Sequence, residues 1–95
     1  MDTDVALSWR NCFRQWPTDL ERHGVLVTSF GEQIVFDGFG TSDDMLLLER
    51  KAPDTVGART VILPYQHIQA LKIVDVTKVK TFQSMGFTAP PSTRK

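Results

Sequence analysis

Val25-Leu26-Val27-Thr28-Ser29-Phe30, Glu32 to Phe39, Met45 to Glu49, Arg59 to Leu63 and Gln69 to Val74 are five apolar, β-rich runs within Gly24 to Val76. Hardly a break is left among them for a helix. The connections are short and carry Gly, Asp and Pro, which is how a meander folded into one small unit is written. The expected fold is mainly β: a small, strongly bent, five-stranded antiparallel barrel over residues 24–76. So compact a sheet leaves little room for an internal active site.

Inside the runs, Ile34 and Phe36 share one face while Val35 and Asp37 share the other. Phe30-Gly31-Glu32-Gln33 reads as a tight hairpin of type II′, with Gly31 taking the positive φ. Gly38 and Gly40 flank Phe39 and mark a bulge or sharp bend. Thr41-Ser42-Asp43-Asp44 supplies the short side chains of a turn. Met45 to Leu48 is apolar at consecutive positions, which predicts a central strand covered on both faces. Arg50 to Ala58, with Pro53, Asp54 and Gly57, reads as an exposed loop. Pro64 withholds a backbone donor and turns the chain through Tyr65-Gln66-His67.

Upstream, Val5, Trp9, Cys12, Phe13 and Trp16 fall on one face of an α-helix over residues 4–16, stopped by Pro17. That stripe has two readings. It lids the barrel, or it docks onto a protein partner through Trp9, Phe13 and Trp16. Downstream, Val76, Val79, Phe82 and Met85 sit three apart, predicting a short C-terminal helix that ends at Gly86. The domain organisation is thus a single domain over 1–87, its C-terminal extension at 77–87, with 88–95 a disordered tail by composition.

Composition narrows the function classes. At 95 residues there is room for one domain. Lys and Arg total 11 and Asp and Glu total 11, so the chain lacks the net positive charge on which non-specific nucleic-acid binding runs. The C-terminal end is locally basic, with Lys78, Lys80, Arg94 and Lys95 and no acidic residue after Asp75. The longest apolar run, Met45 to Leu48, is far too short to span a membrane, and the acidic start is unlike a secretory signal. Cys12 is the one cysteine, which suits a reducing compartment. A cytoplasmic location without membrane association is expected.

Catalysis needs a nucleophile, a base and an orienting group in one pocket. Cys12 lies beside Phe13 on the apolar helix face, where a thiol is inert. No HExxH, CxxC, GxSxG or GxxxxGK[ST] spacing occurs. His23, His67 and Cys12 lie in three separate segments without ligand pairing, so no metal is expected. The expectation is a non-enzymatic protein with no cofactor.

The order of helix, bent meander and very short turn before the last strand resembles the Sm-like family, its bacterial Hfq branch included. Val61-Ile62-Leu63-Pro64-Tyr65-Gln66-His67-Ile68-Gln69-Ala70-Leu71 is similar to that family's second motif, with Tyr65-Gln66-His67 where the Hfq branch has Tyr-Lys-His. Val25, Val27, Gly31, Ile34, Asp43-Asp44 and Met45 to Leu48 echo the first motif. The resemblance covers about residues 4–76 and is one of pattern and order. It implies a homo-oligomeric ring of about five to seven copies, joined through the free strand edges at Arg59, Val61, Leu63, Gln69, Leu71 and Ile73. It further implies single-stranded RNA as a partner, met by Tyr65, Gln66 and His67, and a post-transcriptional role. The chain departs from the pattern in Pro64-Tyr65, where eukaryotic and archaeal members carry Arg-Gly, and in Gln66, where the Hfq branch carries a cation. The other reading is a scaffold module of SH3-like shape that binds protein and no nucleic acid.

Overall fold

The computed structural model describes the backbone from Asp2 to Thr88 and the side chains from Asp4 to Thr88. Helix α1 (Asp2–Arg14) is followed by β1 (Gly24–Thr28), β2 (Gln33–Thr41), β3 (Met45–Arg50), β4 (Thr60–Pro64), a 3-10 turn (Tyr65–His67), β5 (Ile68–Lys72) and a 3-10 segment (Val79–Met85). All pairings are antiparallel, and the five strands form one sheet in the order β4-β3-β2-β1-β5. Among the described residues no helix is long and apolar enough to cross a membrane. The tail expected over 88–95 lies, past Thr88, outside the described residues.

Sequence order and sheet order together dictate the curl. β4 and β5 are the two outer strands, yet only Tyr65-Gln66-His67 joins them. Even fully extended, that link spans only about 13 Å from Pro64 to Ile68, so the sheet must bend until its edges approach at that end. Two irregularities permit it: Gln69 bulges from β5, where the adjacent Val27 and Thr28 of β1 pair with Ala70 and Ile68, and Asp37 bulges from β2 between the Phe36–Arg50 and Gly38–Glu49 pairs. Gly24 is required where β1 and β5 approach, since a Cβ there would sit 2.8 Å from the Lys72 carbonyl oxygen. The edges do not pair with each other, so the sheet stays open where a barrel was expected.

One core fills the concave side. Leu26, Ile34, Phe36, Phe39, Leu46, Leu48, Leu63, Tyr65 and Ile68 point inward from the strands and the turn, and α1 closes the open side. The closure is aromatic: Phe13 meets Phe39 edge-on at 5.0 Å, and Trp16 meets Phe39 at 4.9 Å. The Trp16 indole N–H donates to the Leu20 carbonyl at 3.0 Å, fixing the turn after the helix. Phe13 is wholly buried and Trp16, just past the end of α1, nearly so, so this end of the stripe is a lid, while Val5 at its start stays exposed. Docking through Phe13 and Trp16 is corrected accordingly. Trp9 alone of the three is only partly covered.

Three local expectations change. The β1–β2 hairpin centres on Ser29 and Phe30, with Gly31 N–H donating to Thr28 O and φ +89° at Gly31. That is a turn followed by a left-handed glycine, not type II′, in which glycine leads. In β3, Leu46 and Leu48 are buried, but Met45 is exposed and Leu47 only half-buried. The strand is central with one covered face, because the sheet has no second layer there. The C-terminal helix is 3-10, kinked at Phe82 and ended by Gly86 at φ +99°; Val76 stands free of its apolar stripe, fully exposed.

Candidate functional site

The Tyr65–His67 turn holds the residues that the family resemblance singles out, and it divides them. The Tyr65 ring is 1% exposed, its hydroxyl donates to the Ser42 carbonyl at 2.9 Å, and burial pushes its phenol pKa up. It ties β4 to the β2–β3 turn and offers no face to a ligand. Gln66 and His67 are exposed. His67 Nδ1 lies 3.3 Å from Ser29 Oγ, and the Ser29 N–H donates to the His67 carbonyl at 2.8 Å. Phe30, at the tip of the β1–β2 turn, stands 6.3 Å from the His67 ring, tilted by 65° and two-thirds exposed. Two aromatic groups thus share one open surface. Sequence reading missed Phe30; its signal was an aromatic residue placed next to a turn glycine, where no core could cover it.

On the other flank α1 leans over the acidic β2–β3 turn. Arg14 pairs with Asp43 at 3.2 Å, and Arg10 Nη1 donates to the Asp43 carbonyl at 3.4 Å. Both are surface contacts of small energetic worth. Their consequence is electrostatic, since they offset an otherwise acidic rim beside Tyr65.

The strand edges form a second feature. Val61 and Leu63 on β4 face inward, opposite Leu48 and Leu46, while Leu71 on β5 faces inward opposite Leu26. Ile73 follows just past β5 and packs on the core. Gln69 is exposed on β5; Arg59 precedes β4, exposed, its carbonyl accepting from the Arg50 N–H. Among the described residues no backbone bond joins the outer edge of β4 or β5 to another element. β4 carries neither a bulge nor an inward charge to blunt it, whereas β5 bulges at Gln69, near its start.

A third feature is an apolar groove of about 460 Å³ between α1, β5 and the Val79–Met85 segment. Cys12 Sγ and Met85 Sδ meet in its wall at 3.8 Å, and burial raises the Cys12 thiol pKa, so the thiolate is scarce and Cys12 reacts slowly. Beside the groove, His23 Nε2 lies 2.7 Å from Asp75 Oδ1, pinning the chain after β5 to the chain before β1. Among the described residues no three His, Cys, Asp or Glu side chains gather to hold a metal.

Comparison with known proteins gives no matching family model, no matching curated protein and no matching solved structure.

Proposed function

We propose that this chain is a divergent Sm-like subunit that assembles with copies of itself into a ring and binds single-stranded RNA without catalysing a reaction. The observation that carries the reading is the strand order β4-β3-β2-β1-β5 with both outer edges lacking a backbone partner among the described residues and apolar on their inner side. Pairing β4 of one copy with β5 of the next would satisfy the free backbone groups on both. It would also set Val61 and Leu63 of one copy on the same side as Leu71 and Ile73 of the next. Because the two edges belong to different strands, the contact is heterologous, and a heterologous contact closes into a ring or runs on as a filament.

RNA contact then falls to Gln66 and His67, with Phe30 as the stacking platform, while Tyr65 holds the turn. Base stacking on aromatic faces tolerates any sequence. With charges balanced at 11 and 11, few phosphates are neutralised, so affinity falls only shallowly with salt. The test is fluorescence anisotropy of a labelled single-stranded RNA of about 15 nucleotides across a salt series. The reading expects saturable binding, weakened by F30A and by H67A without change in the mass of the assembly. Absence of binding at low salt overturns the RNA part and leaves the assembly part standing.

The scaffold reading keeps one specific observation in its favour: Met45, Leu47 and Ile62 make a shallow apolar patch on the convex face. Retention of a defined protein partner by the wild-type chain and its loss in M45E, with RNA binding absent, would favour it.

A further inference from the structure

We propose that the groove between α1, β5 and the Val79–Met85 segment is a binding site for a small free amphiphile, an apolar chain ending in one anionic head group such as a medium-chain carboxylate. This site is separate from the strand edges' backbone and from the Phe30–His67 surface, and it stands whether or not RNA binds.

Size and chemistry both point there. The volume of about 460 Å³ falls in the range of small-molecule sites, which are largely apolar with a few polar groups that orient the ligand. Trp9, Leu71, Ile73, Phe82 and Met85 supply the apolar wall, and all five are only partly buried, so the wall is open to solvent in the single chain. Among the described residues that line the groove, Lys78 is the sole charged one, exposed at its margin. The nearby carboxylate, Asp75, is engaged by His23 at 2.7 Å, and among the described residues Lys78 has no ion-pair partner. An apolar cavity with one uncompensated cation at its rim complements an anionic amphiphile. A neutral ligand would leave Lys78 unused, and a cationic one would be repelled.

The groove carries its own reporters. Trp9 lines the wall while Trp16 is buried elsewhere, and Cys12 presents its thiol to the same space. Titrating the full chain with decanoate should change the tryptophan fluorescence saturably and slow Cys12 modification by a thiol reagent about tenfold at saturation. K78E, at an exposed position, should weaken decanoate by about tenfold or more while leaving decanol unchanged. I73E should abolish both, with circular dichroism checking that its sheet persists; K78E keeps the proposal testable should that variant unfold. Equal binding of decanoate by wild type and K78E overturns the proposal, as does failure of decanoate to protect Cys12. Protection that grows with protein concentration without ligand assigns the groove to a second copy instead. Protection without ligand that is lost on removing residues 89–95 assigns it to the chain's own C-terminus. Either outcome overturns the amphiphile.

Discussion

Tyr65 performs two jobs with one side chain: its ring fills the core where the β4–β5 turn begins, and its hydroxyl holds the Ser42 carbonyl of the β2–β3 turn. Removing the hydroxyl in Y65F should cost about 1 kcal/mol in denaturant unfolding, since the ring stays and one bond is lost. The pH dependence follows from burial. A phenol whose folded pKa is raised adds stability that is fully present below the unfolded pKa of about 10 and is lost as pH rises through the folded value. The wild type should therefore lose stability at alkaline pH more steeply than Y65F. Asp54 shows the opposite sign. Its carboxylate accepts from the Ala58 and Val56 N–H groups at 2.8 and 2.9 Å, and chiefly the Ala58 bond holds its pKa below the usual carboxylate range. What it contributes is present above the unfolded pKa and is lost as pH falls through the lowered folded value. Amide exchange at Val56 and Ala58 should be faster in D54A than in wild type at neutral pH, with the difference vanishing in strong acid.

At the scale of elements, the free edges make a charge-reversal prediction. Ile62 on β4 and Lys72 on β5 both lie on the convex side, opposite Leu47 and Val25, and Ile62 is 60% exposed, so replacing it leaves the core untouched. I62K should place a cation beside the Lys72 row of the neighbouring copy and shift the assembly toward monomer. I62K with K72E should restore it, measured by sedimentation velocity. Those edges were legible in the sequence because inward and outward residues alternate along Thr60–Leu63 and Ala70–Ile73, and because Pro64 fixes the turn between them. The helical lid was legible too, since its stripe has the right period. The hairpin type was not: Gly31 announces a positive φ but not which turn position it takes, and the bond from Gly31 N–H to Thr28 O decides that. Nor was the 3-10 character of Val79–Met85, where three-residue apolar spacing fits either helix. The groove was illegible altogether, because Cys12 and Met85 meet only once α1 and the C-terminal segment pack over β5.

For the whole molecule, the decisive feature is that strands adjacent in sequence sit at opposite edges of one sheet. A three-residue link then forces curvature, and curvature without closure leaves two complementary edges on each copy. Sequence periodicity could place each strand but could not say whether the edges met. Closure would have satisfied them internally and removed the reason to assemble. In the proposed assembly the open order hands that pairing to another copy, and among the described residues α1 makes no backbone bond to either edge. Size-exclusion chromatography with multi-angle light scattering, at micromolar protein, weighs this directly. The account predicts a uniform mass about five to seven times the 10.7 kDa of one chain, unchanged on dilution through the micromolar range. A mass of 10.7 kDa across that range would contradict it.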